Sequence, residues 1–476
     1  METLVLEQIV EYARGCLLQG DANAAVSSIS TDTRSLGRGE LFVALRGENF
    51  DGHEHLEAAA LAGALGAVVD RRVDSIGLPS DFALIEVDDT LAGYQRIAAA
   101  YRRSLSLTVV GITGSNGKTS TKDLTAAVLA RRYRVLKTEG NLNNHIGLPR
   151  MLLRADRSHE VAVLEMGMNH PGEIAPLASI ALPQVAIITN IGRAHLEFMG
   201  TREAIAQEKG MLAEAVGTDG TVILNGDDEY TPSISQRTRA RVVMVGSDGA
   251  ALRAESIAQN FAGSTFTLTS GVESVVVRLP VAGRHMITNS LLAVAAGMAL
   301  GISLKDCATA LAEAKLTGGR LERKELHGRF ILDDSYNANP DSMVAALDTL
   351  AALPTKGRRI AVLGKMGELG TAAAEGYRTV GEYTGSKKID CLLTVGAEAR
   401  AIADAAQRDG LTKVVMTENL DEAAARLAVL SRPGDLILVK GSRAAGMERM
   451  LTKLSDILAD TDTAAIERTS TTANAR

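Results

Sequence analysis

The stretch with most chemistry in this chain is Gly111-Ile112-Thr113-Gly114-Ser115-Asn116-Gly117-Lys118-Thr119-Ser120. Glycines at 114 and 117 allow backbone N–H groups to approach an anion closely and allow backbone angles that other residues avoid. Lys118 can bridge phosphate oxygens, and the Thr119 hydroxyl can ligate Mg²⁺. The standard G-x-x-x-x-G-K-[ST] loop would need glycine at 112, which is isoleucine. A bare G-x-x-G-K is equally well a glycine turn carrying a surface lysine. The setting favours a nucleotide: the apolar run Leu107-Thr108-Val109-Val110 precedes the loop, and a helix pattern follows it. A loop between strand and helix aims its N–H groups at one point.

Other candidates stand where further strands end. Val163-Leu164-Glu165 places a carboxylate at a C-terminal strand edge, and His195 follows the strand ending Ile188-Thr189-Asn190. Ligands of open α/β sheets bind at such edges, so both become possible partners of a phosphate-bound cation. Taken singly, Glu165 is a solvated strand end and His195 a loop histidine. Lys209, on a helical stretch over 204–212, reads alone as a solvated lysine. Asn289 reads as a helix N-terminal cap, and Lys440 with Arg443 equally as a solvated strand end. No N-K-x-D stretch is present to read guanine.

Alternating strands and helices must position these groups. Residues 1–105 show candidate strands at Val26–Ser30, Leu41–Ala44, Gly66–Asp70 and Ala83–Val87, with helices at Glu54–Gly63 and Thr90–Arg103. Residues 106–317 open with the strand and loop, then a helix over Lys122–Tyr133 with Leu124, Val128 and Leu129 on one face. Strands follow at Val161–Leu164, Val185–Thr189, Thr221–Leu224 and Arg241–Val245, a hairpin within Phe266–Leu279, and a helix over Asn289–Leu300. Gly318-Gly319 is a plausible hinge into residues 318–460, with strands at Phe330–Asp333, Arg359–Leu363, Cys391–Val395, Lys413–Met416 and Asp435–Val439. The expected fold class is α/β: three α/β domains, the central one a P-loop-type, mainly parallel sheet and the C-terminal one Rossmann-like. The Thr-, Ala- and Asn-rich tail, 461–476, is expected to be frayed.

Composition narrows the partners. With 476 residues, two to four domains are expected. Aromatic residues are 3%, Trp is absent and the net charge is −6, which argues against a nucleic-acid binder. Cys16, Cys307 and Cys391 are too dispersed for a metal or redox pair, which suits a reducing, cytoplasmic setting. The N-terminal stretch lacks a signal-peptide core, and no apolar run is long enough for membrane insertion. Monomer is the default expectation.

Beyond the loop, motifs recur in a specific order over nearly the whole chain. They are DTRSLGRGELFVALRGENFDGHEHL at 32–56, GITGSNGKTSTK at 111–122, GNLNNHIGLP at 140–149 and EMGMNHPGEI at 165–174. TNIGRAHLEFMG at 189–200, EKG at 208–210, GRHMITNSLLAVAAG at 283–297 and GGRLE at 318–322 follow. DDSYNANPDSM at 333–343, GKMGELG at 364–370 and VKGSRAAGME at 439–448 complete the set. In these the chain resembles the Mur ligases of peptidoglycan precursor synthesis, most closely the member adding D-alanyl-D-alanine to UDP-N-acetylmuramoyl-tripeptide. That family uses a T-G-x-x-G-K-[ST] loop, which accounts for the isoleucine at 112.

The resemblance implies an ATP-dependent ligation through an acyl phosphate. Gly114, Ser115, Asn116, Gly117, Lys118, Thr119 and Ser120 would hold the phosphates, and Asn289 would lie near adenine. Thr119 and Glu165 would hold one Mg²⁺ with ATP, and His195 and a carbamylated Lys209 would hold a second. Arg320 would swing onto the phosphates, Asp334 would bind ribose, and Tyr336 and Asn337 would flank the reaction centre. Lys440, Ser442 and Arg443 would face the incoming dipeptide. The first domain would bind the UDP group through Thr33, Arg34, Gly47, Asp51 and His53, while Asn141, Asn143 and Asn144 would line the path to the sugar-peptide.

Two rivals remain at the level of sequence. A sibling ligase adding the third residue, diaminopimelate or lysine, would carry a D-[ND]-P-x signature that is missing here. A nucleotide-regulated ATPase or binding module would not need a second metal set or three cleft-facing domains.

Overall fold

The computed structural model describes residues 1–70, 77–247 and 249–473. Three separate sheets carry the architecture. The first has five strands in the order Cys16–Gln19, Ala83–Glu86, Gly66–Val69, Glu40–Val43, Ser28–Ser30, parallel except for its Cys16–Gln19 edge. Cys16–Gln19 was not expected as a strand; its half-exposed Cys-Leu-Leu-Gln lacks a clear alternation signal.

The central sheet has nine strands. From one edge they are Glu273–Leu279, Gly263–Ser270, Leu252–Asn260, Arg241–Gly246, Thr221–Asn225, Val185–Ile188, Thr108–Thr113, Val161–Glu165 and Val135–Lys137. The run from Leu252–Asn260 to Val135–Lys137 is parallel, and the other two strands extend it antiparallel. The expected hairpin is thus present, with Leu252–Asn260 added to it. Its inner strands are continuous apolar runs because both faces are covered. Val110 and Ile112 face a core shared with Leu124 and Val128 of helix Lys118–Leu129 and Leu292 of helix Arg284–Ala299. Val109 faces the opposite way, into a core with Tyr94 and Ile97 of helix Thr90–Ser104.

That second core joins the first sheet unit to the central one. The basic end of Thr90–Ser104 is part of the joint: buried Arg102 donates from Nε to the carbonyl of Ala181, 3.0 Å away, at the end of helix Ile174–Ala181. A cation satisfying terminal helix carbonyls is favourable in both hydrogen bonding and dipole terms.

The third sheet has six strands in the order Glu322–Leu326, Arg329–Asp334, Leu436–Lys440, Arg359–Leu363, Cys391–Val395, Val414–Thr417, parallel except for its first edge strand. The chain enters it through Thr317-Gly318-Gly319. The Thr317 N–H and hydroxyl donate to Asp123 Oδ2 at 2.8 and 2.7 Å, so the segment is tied to the helix behind the glycine loop. Gly319 has φ +69°, a left-handed angle that favours glycine. The last helix, Met447–Ala473, runs into the 461–476 segment where a frayed tail was expected, whose final residues lie outside the described ones.

Candidate active site

A cleft of about 690 Å³ lies between the central and third sheets, at the C-terminal edge of the central strands. The glycine loop forms its floor. Gly114 has φ +149°, and a Cβ there would stand 1.8 Å from the Thr189 hydroxyl. Gly117 has φ +82° and caps helix Lys118–Leu129, so the helix starts four residues earlier than its apolar spacing suggested. A Cβ on Gly117 would meet Asn289 Oδ1 at 2.6 Å. Gly117→Ala should therefore combine a left-handed angle with a polar clash, raising the Kd for ATP at least about tenfold with about 1–2 kcal/mol lost in stability. Isothermal titration and urea unfolding measure both; unchanged ATP binding would sink the expectation.

The loop is fixed by the neighbouring strand end. Ser115 N–H donates to the Asn190 carbonyl at 2.9 Å, Asn116 N–H to Asn190 Oδ1 at 3.0 Å, and the Gly192 N–H to Ser115 Oγ at 2.8 Å. Lys118 Nζ donates back to the Gly114 carbonyl at 2.8 Å. Burial pulls its pKa below the ordinary lysine value, with Glu165 opposing and Arg320 adding to the fall.

Thr119 stands at the centre of a polar chain. Its hydroxyl donates to Glu165 Oε2 at 2.9 Å and accepts from Arg320 of the third unit at 2.9 Å. Asn143 Nδ2 holds the other Glu165 oxygen at 2.9 Å, and the Glu165 N–H bonds the Thr138 hydroxyl at 2.9 Å. Ser120 is buried in the first turn of the helix, Asn141 lines the cleft, and Asn144 Oδ1 accepts the Gly147 N–H at 2.9 Å. Asn289 is not a helix cap. Helix Arg284–Ala299 starts five residues before it, from Gly283, which leaves the side chain in the second turn against the loop.

On the third side, Arg320 lies over the Tyr336 ring, its Cζ 4.2 Å from the centroid, with Arg443 farther off at 5.8 Å. Lys440 Nζ donates to Asp334 Oδ2 at 2.6 Å and to the Asn337 carbonyl at 2.9 Å. Lys440 is buried and paired, not a solvated strand end. Ser442 is buried nearby; neither it nor Arg443 lines the cleft. His195 faces Glu368, Nδ1 2.5 Å from Oε2, and this contact holds the Glu368 carboxyl below its ordinary range. Asn339 Nδ2 donates to Asn116 Oδ1 at 2.8 Å, and the Arg193 N–H to Asp341 Oδ2 at 2.6 Å. Sequence reading missed Glu368, Asn190, Asn339 and Asp341, although all four sit inside motifs already noticed.

Lys209 does not line the cleft; it is fully buried, its Nζ without a hydrogen-bond partner among the described residues. Burial drives its pKa far below the ordinary lysine value, Lys118 adds to this, and Glu208 only partly opposes it. The solvated-lysine reading is therefore wrong. Among the described residues no group of three His, Cys, Asp or Glu side chains has metal-binding geometry.

The first-unit candidates lie apart from this cleft. Asp32 holds the Arg34 guanidinium at 2.8 and 2.7 Å beside Thr33, leaving the arginine side chain 88% exposed. Gly47 is packed against the Phe50 ring, where a Cβ would be only 2.5 Å away. The His53 ring is buried, with Nδ1 2.6 Å from Asp51 and Nε2 accepting the Asp70 N–H at 3.1 Å.

A glycine loop with lysine and threonine, a buried carboxylate on the threonine, and an arginine reaching in from the third unit make a site for nucleotide phosphates and a cation. Matching family models make the class an ATP-dependent ligase. The model of the Mur ligase middle domain matches residues 112–297, and that of the Mur ligase glutamate ligase domain matches residues 319–443. The chain is 38% identical to UDP-N-acetylmuramoyl-tripeptide--D-alanyl-D-alanine ligase of Bacillus subtilis, covering 94% of this chain and 98% of that one. The Escherichia coli protein of the same name is also 38% identical, covering 96% and 99%. A solved MurF structure from Acinetobacter baumannii superposes with TM-score 0.89 at 33% identity, covering 96% and 99%. MurF of Thermotoga maritima in complex with ADP gives 0.82 at 28%, covering 91% and 98%. The chain belongs to the Mur ligase family.

Proposed function

We propose that this chain joins D-alanyl-D-alanine to UDP-N-acetylmuramoyl-tripeptide while ATP is cleaved to ADP and phosphate. The carrying observation is the likeness to ligases of that name over almost the full length of both chains. A carboxylate oxygen of the tripeptide attacks the γ-phosphorus, ADP leaves, and an acyl phosphate forms. The dipeptide amine then attacks the acyl carbon, and the tetrahedral adduct expels phosphate and loses a proton.

Loop N–H groups and Lys118 hold the γ-phosphate and offset the charge that builds on it. Arg320 brings a second cation from the third unit. Asp334 binds ribose, Asn289 lies by adenine, and Tyr336 and Asn337 flank the acyl group. Lys440 faces the dipeptide from the cleft, and Ser442 and Arg443 would reach it only from outside the present lining; Thr33, Arg34, Gly47, Asp51 and His53 face the uridine diphosphate, and Asn141, Asn143 and Asn144 the path between. Residues 1–105, 106–317 and 318–460 are the three working domains. The enzyme acts as a monomer in the cytoplasm, and among the described residues no helix is long and apolar enough to cross a membrane.

The Thr119–Glu165 pair fits Mg²⁺, which takes one or two carboxylates with substrate phosphates and water. His195 and Lys209 would hold a second ion: burial disfavours the charged form of the unpartnered Lys209 amine, and the neutral amine can attack CO₂, form an N–C bond and lose one proton to become a carbamate ligand. Bound Mg²⁺ would supply charge neutralisation at the phosphates and at the acceptor carboxylate. Activity should accordingly fall at least about tenfold in CO₂-depleted buffer and return with bicarbonate, whereas Lys209→Gln should be inactive under both conditions. A wild type indifferent to bicarbonate would count against carbamylation.

Phosphate release tests the whole assignment. It should require UDP-muramoyl-tripeptide and D-Ala-D-Ala together. Release without them points to a mere ATPase, and dependence on diaminopimelate with the dipeptide-nucleotide points to the sibling ligase.

A further inference from the structure

Five carboxylates line the cleft: Glu165, Glu173, Asp334, Asp341 and Glu368. Four are committed to protein donors. Glu165 serves Thr119 and Asn143, and Asp334 serves Lys440 and the Leu321 N–H. Glu173 accepts the N–H groups of Asn169 and His170, and Asp341 that of Arg193. Glu368 differs. Its carboxylate meets the His195 ring, feels Lys118 and His170 only through space, and keeps its side chain 43% exposed.

The backbone is built to present it. Met366 and Leu369 on either side are buried, the Tyr377 hydroxyl accepts the Met366 N–H at 2.9 Å, and the Glu368 carbonyl accepts the Glu197 N–H at 3.4 Å. Glu368 itself has φ +58°, and the facing His195 has φ +62°. Non-glycine residues keep such angles only where their surroundings impose them, and these cluster at functional sites. The two strained residues meet where the third unit closes on the central one.

The substrates supply the missing partner. The second one enters as a free α-amine, which is an ammonium at neutral pH for about nine molecules in ten at an α-amino pKa near 8. Lys118 and Arg320 also line the cleft, so an incoming ammonium needs a carboxylate there to offset them. Resting on the ligase reading above, we propose that Glu368 binds the ammonium group of the incoming dipeptide and so places the amine against the acyl group.

Glu368→Gln keeps size and removes charge, and Glu368→Asn suits the left-handed backbone better should the first variant fold poorly. The KM for D-Ala-D-Ala should rise about 10- to 100-fold, the range of a charge-assisted hydrogen bond, with KM for ATP and for the nucleotide-peptide within about threefold. Propionyl-D-alanine, the dipeptide without its amine, should inhibit wild type and variant equally weakly. A fall in kcat with an unchanged dipeptide KM would overturn the proposal and leave Glu368 as a latch on His195. Weakened propionyl-D-alanine inhibition in the variant would overturn it as well. Failure of the ligase reading itself shows separately, as wild-type phosphate release indifferent to D-Ala-D-Ala.

Discussion

Lys118→Ala should lower kcat for ligation by about 10²–10³, the usual cost of deleting one preorganised charge stabiliser at a transition state. Lys118 is the loop's own cation, held by its bond to the Gly114 carbonyl at 2.8 Å. Its lowered pKa follows from burial, so it is poorly solvated before ATP arrives and its charge acts in a low-dielectric pocket. Arg320 cannot stand in, because its NH2 is directed to the Thr119 hydroxyl. Lys118→Arg should recover little, since the fork is wider than a point charge and the loop closes tightly around the stem. The fold should survive, because loop backbone bonds to Asn190 do not involve the side chain. Steady-state kinetics with coupled ADP detection decides it: a kcat within about threefold of wild type would remove Lys118 from the chemistry.

Much of the site was legible because its parts have local signatures. The glycine loop, the strand-end Glu165 and the third-sheet strands could be read from short windows, since strand-to-loop chemistry sits where apolar runs stop. The residues missed or misread are those whose meaning depends on distant partners. Lys209 reads as a surface lysine on its helix; only the folded chain shows its amine buried without a bond. Asn289 looked like a cap because asparagine is a preferred N-cap residue and stands at the head of an Ala- and Leu-rich run, yet burial of Met286 and Ile287 pulls the preceding stretch into the helix. Glu368 acquires its neighbour only across the cleft, 173 positions beyond His195. Edge strands Cys16–Gln19 and Glu322–Leu326 were invisible for a different reason: half-exposed edges carry little apolar alternation.

Asp123→Ala should cost about 3–5 kcal/mol of stability, the range for breaking one side of a buried ion pair. Asp123 is 1% exposed and stands 3.5 Å from Lys122 Nζ, whose side chain is 3% exposed, so removing the carboxylate leaves a buried cation uncompensated. Lys137 loses a 2.8 Å contact, and Thr317 loses both its bonds just before the glycine pair that leads into the third unit. Ligation should weaken beyond what the folded fraction explains, because that anchor fixes where Arg320 starts. Adding Lys122→Met to Asp123→Ala should restore a large part of the stability but not the rate, since it removes the stranded charge without rebuilding the anchor. The pH dependence has a definite sign. Burial alone would raise the Asp123 pKa, yet Lys122, Lys137 and Thr317 outweigh it and the pKa is lowered. A lowered carboxylate pKa adds stability that is present above the unfolded value, near 4, and lost as pH falls through the folded value. Urea unfolding should therefore show the full gap between wild type and Asp123→Ala at neutral pH and a narrowing gap only in acid. A loss under about 1 kcal/mol at pH 7, or a gap that widens on acidification, would show that the hinge is not held by this carboxylate.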